Sequence, residues 1–172
     1  NQGNRMKLFD SHCHLDDKSY NRDLDEVIDR ARRAGVIRIM TIGVNKRTSA
    51  RAVELAESHP GIYASVGVHP HDVKNCRESV IEDLKRFADK PKVRAWGEIG
   101  LDFNRMYSPR EDQEKWFRKQ LEIAGNLDLP MIFHERDSNG RFLEMLKQHA
   151  ANKLKGVDPS WAQQDQYEIT EV

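Results

Sequence analysis

Two histidines separated by one residue, His12 and His14, follow the apolar pair Leu8 and Phe9 near the start of the chain. Residues two apart on a strand project to the same face, so both imidazoles would point the same way. Imidazole is a common ligand of zinc, iron, nickel and copper. Such a pair is half of a metal site, although two incidental polar residues near a turn would give the same pattern.

Two further residues of ligand type, Glu98 and His134, also follow apolar segments. Alone, Glu98 fits a surface turn residue between glycines, and His134 fits a hydrogen-bonded core histidine. Four such residues at the ends of predicted strands are harder to explain separately, so the pattern predicts one metal site built from His12, His14, Glu98 and His134. A mixture of imidazole and carboxylate suits zinc or manganese, and magnesium less readily.

These residues lie in a chain that alternates between strand and helix patterns. The predicted strands are 7–11, 36–42, 62–68, 93–98 and 129–133, with a possible sixth at 153–157. The predicted helices are 23–34, 49–58, 79–87, 108–123 and 142–148. Ser108 is predicted to be an N-cap, because proline follows it and Glu111 comes three residues later.

Alternating strands and helices predict a parallel sheet with right-handed crossovers. Such a sheet is either open or part of a closed barrel, and only a barrel gathers the ends of separate strands around one mouth. The expected fold is therefore α/β, the N-terminal portion of a TIM-like (β/α) barrel with five to six parallel strands. A full barrel needs about 250 residues, so we expect open sheet edges and either self-association or a partner chain that completes the barrel.

Four segments resemble the TatD-like metal-dependent deoxyribonucleases, a family of metal-dependent hydrolase barrels. They are residues 9–16, 67–71, 97–103 and 130–134, and Gln113, Phe117 and Gln120 also fit the family pattern. The resemblance extends over residues 6–157. It implies a (β/α) barrel that uses one or two divalent metal ions (Mg, Mn or Zn) and hydrolyses phosphodiester bonds in a DNA substrate, commonly at DNA ends.

The resemblance also implies roles for particular residues. His12 and His14 would hold one ion, Glu98 would bridge two as a catalytic residue, and His134 would bind the second.

Other matching positions have open roles. Arg136 would contact a phosphate in catalysis and substrate binding, but a solvated helix-start residue fits equally well. His69 and His71 would bind substrate at the mouth, or be polar loop residues. Asp102 would orient a metal ligand by a hydrogen bond without binding the ion itself, or be a turn residue.

Three regions are expected along the chain. Residues 1–5 precede Met6 and fit an expression remnant or a disordered segment, residues 6–157 form the barrel portion, and residues 158–172 form a divergent polar tail. In that tail the later histidine and aspartate ligands that the resemblance implies are not recognisable.

The charge and cysteine content restrict the function less. The 28 basic and 28 acidic residues balance, whereas a general electrostatic DNA binder would be basic, although bound metals can hold a phosphate without a basic surface. Two distant cysteines, Cys13 and Cys76, favour a reducing compartment over a disulfide framework, so we expect a cytoplasmic location, or a nuclear one in a eukaryote. No stretch has membrane-spanning length and no secretory signal is visible, so no membrane partner is expected.

The expected function is divalent-metal-dependent phosphodiester hydrolysis on DNA. One alternative is an amide-hydrolysing barrel of the dihydroorotase kind, which shares the His-x-His pattern but typically has a lysine where Glu98 stands. The other alternative is a non-catalytic, truncated fragment that binds a metal or a partner.

Overall fold

The computed structural model describes residues 6–154, in which five strands alternate with five α-helices. The strands are β1 (Leu8–Cys13), β2 (Val36–Ile42), β3 (Ile62–Val66), β4 (Val93–Asp102) and β5 (Met131–Arg136). The helices are α1 (Leu24–Ala34), α2 (Lys46–Ser58), α3 (Glu78–Ala88), α4 (Arg110–Asn126) and α5 (Arg141–Leu154). Two short 3₁₀ turns, Lys18–Tyr20 and Val73–Asn75, were not expected from the sequence.

The five strands form one parallel sheet in the order β1-β2-β3-β4-β5. Strand order that follows chain order is the arrangement of a barrel, whereas a doubly wound sheet reverses direction part-way. The sheet curls into part of a TIM-like α/β barrel, so the predicted fold class is confirmed.

The main core lies between the helices and one face of the sheet. Buried residues of this core include Ile28, Leu55, Leu84, Phe117, Ile62 and Trp96. A smaller cluster of Met40, Ile42 and Ala95 packs on the opposite face, because neighbouring residues of a strand project to opposite sides. The sheet is therefore covered by helices on its outer face and forms the wall of the barrel interior on the other.

Apolar spacing and a glycine position the first helix. Ile28 is almost fully buried, and Gly35 ends α1 with a left-handed backbone (φ 105°). A Cβ at this position would lie 2.8 Å from the Met6 carbonyl oxygen, so both conformation and space require glycine. The predicted helix stop at Gly35 is confirmed.

Three local predictions need correction. Strand β4 continues to Asp102, because its backbone pairs with β5 beyond Glu98, so Glu98 lies within the strand and not at its end. Ser108 is not the N-cap of α4: Pro109 is, and the Ser108 hydroxyl instead donates to the His71 carbonyl oxygen at 2.9 Å. Of the possible sixth strand, Lys153 and Leu154 belong to α5, and the rest lies outside the described residues.

The two edge strands expose apolar side chains. Phe9 on β1 is 53% exposed, and Leu8 on β1 and Phe133 on β5 are exposed as well. Unpaired strand edges favour pairing with another chain, so self-association, or a partner chain that completes the barrel, stays a prediction. Among the helices of residues 6–154, none is long and apolar enough to cross a membrane.

Two buried glutamines of α4 fix the strand ends that carry the candidate site. The Gln120 side chain accepts a hydrogen bond from the Val68 N–H (2.8 Å) and donates one to the Val68 carbonyl oxygen (3.0 Å). The Gln113 side chain makes the same pair of bonds with the backbone of Asp102, at 2.8 and 3.0 Å. The two glutamines lie about two turns apart on the buried face of α4 and so hold both chain segments that leave the sheet here.

Replacing Gln120 with leucine is expected to destabilise the protein by about 2–4 kcal/mol, because two backbone groups of Val68 would be buried without partners. The measurement is the free energy of unfolding in urea, followed by circular dichroism. Gln148→Leu is the matched control: Gln148 lies exposed on α5, and its amide donates to Glu144 within the same helix. A Gln120 variant as stable as that control would show that the Gln120 bonds contribute nothing net.

Candidate metal centre

Strand β1 presents the two histidines of the His-x-His segment to one side. His12 and His14 are exposed, with ring centres 5.3 Å apart. Between them, the Cys13 thiol turns to the other face and donates to the Met40 carbonyl oxygen at 3.6 Å. Burial raises the pKa of Cys13 to about 12, so its sulfur stays protonated and is a poor metal ligand. The strand therefore offers two imidazoles and no thiolate.

Glu98 lies at the centre of the site, and its two carboxylate oxygens face different histidines. Oε2 lies 3.5 Å from His12 Nε2, whereas Oε1 lies 3.3 Å from His134 Nδ1 and 3.9 Å from His69 Nε2. Burial alone would raise the pKa of Glu98, but the hydrogen bond with His134 and the nearby His69 and His12 lower it overall. The carboxylate is therefore ionised at neutral pH.

Glycines let strands β4 and β5 approach closely enough for this contact. A Cβ on Gly97 would collide with the Ile132 carbonyl oxygen, and one on Gly100 would collide with the His134 carbonyl oxygen. Both glycines also have positive φ, at 151° and 148°. Any larger residue would push β5, and His134 with it, away from Glu98.

His134 is held between two carboxylates. Its Nδ1 faces Glu98, and its Nε2 lies 3.1 Å from Asp102 Oδ2. The hydrogen bond with Glu98 raises the pKa of His134, burial opposes that effect, and the bond with Asp102 adds to it. The ring therefore cannot rotate without breaking a hydrogen bond at one end.

The loop after β3 adds two more histidines to the same place. The ring centre of His69 lies 4.3 Å from that of His71 and 4.3 Å from that of His134. His69 is buried, and this burial lowers its pKa to about 4, so it is neutral at pH 7. His71 Nε2 lies 2.6 Å from Asp102 Oδ2. Both residues therefore border the site, and their predicted contact with substrate stays a prediction.

The ligand-type side chains form two groups in the described residues. His12, His14 and Glu98 make one, and His69, His71 and His134 make the other; within each, the possible ligand atoms lie within 4.8 Å of one another. Ligands about 2.0–2.2 Å from one ion lie roughly 3.0–3.6 Å apart. The distances from Glu98 to His12 and to His134 match that spacing, so these residues fit a divalent ion.

All four predicted ligands therefore converge, although they come from three strands.

Arg136 lies on β5 two residues after His134, so it belongs to the same strand face, and it is exposed to solvent. A cavity of about 470 Å³ opens beside the site and is lined by His14, Val44, His69, His71, Asp72, Lys74, Glu98 and Tyr107. Its size is within the range of ligand-binding clefts.

Sequence reasoning left out two residues that the structure places here. Tyr107 packs its ring edge-on against His71, with centres 4.8 Å apart, and is 51% exposed. Lys74 lines the same cavity, and its backbone N–H donates to Ser108 Oγ at 3.1 Å. Neither residue directly follows a predicted strand or lies in a segment that carries the family resemblance, so neither criterion could select them.

A sequence model of the family described as "TatD related DNase" matches residues 9–163. The chain belongs to this family. It is 41% identical over 140 residues to the 3'-5' ssDNA/RNA exonuclease TatD of Klebsiella pneumoniae, which covers 81% of this chain and 53% of that protein. It is 38% identical over 150 residues to the uncharacterized metal-dependent hydrolase YabD of Bacillus subtilis, covering 87% of this chain and 59% of that protein.

A solved structure agrees with this assignment. The crystal structure of YjjV, a TatD homologue from Escherichia coli K12, matches with a TM-score of 0.76 and 33% identity, over 83% of this chain and 56% of that one. The chain therefore spans little more than half the length of the TatD relatives it matches. The predicted family and its barrel architecture are confirmed.

Proposed function

We propose that this TatD-family chain is a divalent-metal-dependent phosphodiesterase that acts on DNA. The observation that carries this proposal is the arrangement around Glu98, whose two oxygens face histidines from two different strands. A carboxylate shared in this way is suited to bridge two ions, and paired ions are a recurrent device in enzymes that cleave phosphodiester bonds.

The proposed ligands are His12 and His14 for one ion, His134 for a second, and Glu98 for both. Magnesium, manganese and zinc are the candidates, and the share of imidazole favours zinc or manganese. When bound, such ions polarise the phosphoryl group and lower the pKa of a water molecule. Glu98 then supplies the negative charge that keeps two cations close together.

The other side chains act on the substrate. His69 is neutral and presents an N–H near Glu98, so it is placed to donate a hydrogen bond to a phosphate oxygen. His71 borders the same cavity, and Arg136 on the rim offers a guanidinium that can hold a phosphate with two parallel hydrogen bonds. Tyr107 adds an exposed ring on which an unpaired base can stack.

The nature of the substrate follows from the relatives. Proteins named 3'-5' ssDNA/RNA exonuclease TatD match this chain at about 40% identity. We therefore propose single-stranded DNA as the substrate, with RNA as a second one and attack from the 3' end. A cytoplasmic location is part of the same proposal, because the proposed enzyme needs no membrane contact.

An amide-hydrolysing barrel is the weaker candidate. Such enzymes typically carry a lysine at the position of Glu98, whereas here a buried, ionised carboxylate occupies it. Lys74 lines the same cavity as Glu98, but it lies in the 3₁₀ turn Val73–Asn75 and not at the strand position where such enzymes carry their lysine.

The test is hydrolysis by the purified chain of a 5'-labelled single-stranded DNA oligonucleotide, of the corresponding RNA and of bis-p-nitrophenyl phosphate. Each assay is run after chelation, and again after magnesium, manganese or zinc is restored. We expect shortening of DNA only with metal, and products that shorten stepwise from the 3' end. Dihydroorotate is the amide control. Cleavage of dihydroorotate without phosphodiester cleavage would support the amide-hydrolase alternative, and no hydrolysis at all would support the non-catalytic fragment.

A further inference from the structure

Asp102 is the most deeply buried carboxylate of the described site, and the proposed metal ligands do not include it. Only 1% of its surface is exposed. Its Oδ1 accepts hydrogen bonds from the backbone N–H groups of Asn104 (3.1 Å) and Arg105 (2.8 Å). Its Oδ2 faces the Nε2 atoms of His71 (2.6 Å) and His134 (3.1 Å). The carboxylate thus has four partners, which fill its acceptor positions.

These contacts determine which nitrogen of each ring carries a proton. A carboxylate only accepts hydrogen bonds, so His71 and His134 must each donate from Nε2 to Asp102. His134 Nδ1, 3.3 Å from Glu98 Oε1, donates to that carboxylate in the metal-free chain, and its proton is the one that a metal ion would replace, because Nε2 is held by Asp102. The 2.6 Å separation at His71 is a hydrogen-bond distance and leaves no room for an ion between the two atoms.

His69 is fixed in the opposite sense by the backbone. The His71 N–H donates to His69 Nδ1 at 3.1 Å, so that nitrogen must be an acceptor and the proton of the neutral ring is on Nε2. His69 Nε2 points to Glu98 Oε1 at 3.9 Å. His69 therefore offers its surroundings an N–H and not a lone pair.

We propose that Asp102 is a positioning residue that fixes the protonated ring nitrogen of His71 and of His134. It holds His134 in the form that binds an ion through Nδ1 and engages Nε2 of His71. Together with the backbone bond to His69, it prevents His69, His71 and His134 from forming a three-histidine metal site, although their ligand atoms lie within 4.8 Å of one another. This inference rests on the proposed metal ligands His134 and Glu98.

The rigidity of Asp102 supports this role. The backbone N–H and the carbonyl oxygen of Asp102 are both hydrogen-bonded to the Gln113 side chain. The same Gln113 amide also donates to the Ser108 carbonyl oxygen at 2.9 Å. A carboxylate that orients the far nitrogen of a metal-binding histidine typically changes metal affinity 10–100-fold when it is removed.

The experiment measures tautomers directly. Long-range ¹H–¹⁵N correlation spectra of the ¹⁵N-labelled chain distinguish a histidine protonated at Nε2 from one protonated at Nδ1, and both from a zinc-bound nitrogen. Signals are assigned with His69→Ala and His71→Ala. Without metal we expect His69 and His71 to be protonated at Nε2. With zinc we expect a zinc-bound Nδ1 on His134, a retained Nε2–H on that ring, and no zinc on His69.

The matched variants are Asp102→Asn and Asp137→Asn. An amide at 102 can turn its NH₂ toward the rings, so we expect mixed tautomers at His71 and roughly 10–100-fold weaker zinc binding. Asp137 is an exposed carboxylate that accepts a hydrogen bond from the Asn104 side chain in the adjoining loop. Asp137→Asn should keep the single tautomer of His71 and the zinc affinity of the wild type. The wild-type spectra decide the inference even if Asp102→Asn does not fold.

Different failures have different meanings. Protonation of His71 at Nδ1 in the metal-free chain, or zinc bound to His69, would overturn the role given to Asp102. If zinc left the spectra of the wild-type chain unchanged, the metal site of the proposed function would be contradicted. The tautomers of His69 and His71 in the metal-free chain would still test, separately, whether Asp102 fixes the protonation of its neighbouring ring.

Discussion

Replacing Glu98 with glutamine is expected to lower metal-dependent phosphodiester hydrolysis by at least about 10²–10³-fold, comparable to the loss of one electrostatic group in other active sites, because the proposed metal ions would lose the carboxylate that they share. Glutamine keeps the size and shape of the side chain. It removes the negative charge, and only one of its two terminal atoms can bind a metal. The readout is kcat/KM on the single-stranded DNA oligonucleotide at a saturating concentration of metal.

Glu82→Gln is the control for that measurement. Glu82 is exposed on α3, where it bonds Lys85 of the same helix, so the same chemical change there should leave activity within a factor of two. If Glu98→Gln retained wild-type activity, the shared carboxylate could not be the centre of the proposed reaction, and the proposal would lose its main support.

Removing single ligands is expected to remove single ions. Because Glu98 faces both histidine groups, Glu98→Ala should reduce metal content more than either His12→Ala or His134→Ala, each of which disturbs one side. Elemental analysis after dialysis against limiting zinc or manganese gives the number of ions per chain, and titration should show a loss of affinity for each histidine that exceeds the roughly 10–100-fold typical of a partner that only orients a ligand.

His149→Ala provides the comparison, because His149 lies on α5 away from the site. Its metal content should equal that of the wild type. Equal metal content in His12→Ala, Glu98→Ala and wild type would show that the ions bind elsewhere, however the activity responds.

Much of the fold is local enough to follow from the sequence. The apolar spacing of Leu24, Val27, Ile28 and Ala31 predicts α1 within one residue of its observed start, and Gly35 predicts its end, because a left-handed residue is required there. The β-branched run of residues 36–42 coincides with β2. Periodicity and helix ends are properties of neighbouring residues, so no distant contact is needed to recognise them.

The errors occur where distant residues decide. Strand β4 runs four residues past Glu98 because β5 pairs with it, and the sequence around Gly100 carries no sign of that pairing. Ser108 matches a capping pattern, yet its hydroxyl bonds the His71 carbonyl oxygen 37 positions away. In both cases the structure departs from the local sequence pattern, because the residue bonds a partner that is distant in sequence and close only in the folded chain.

For the site, the sequence by itself determined the residue types and the strand segments near which they lie: His12, His14, Glu98 and His134 were predicted as ligands from strand alternation and from the chemistry of metal ligands, although Glu98 and His134 lie within β4 and β5 and not at their ends. Only the tertiary structure decided how they are used. Three features depend on contacts between β1, the loop after β3, β4 and β5: which oxygen of Glu98 faces which histidine, which nitrogen of His134 faces Glu98, and the contact of Asp102 with two rings. The physical reason is that hydrogen-bond direction and ligand spacing are set to a few tenths of an ångström by packing between segments far apart in the chain, whereas sequence patterns locate a residue only within its own segment.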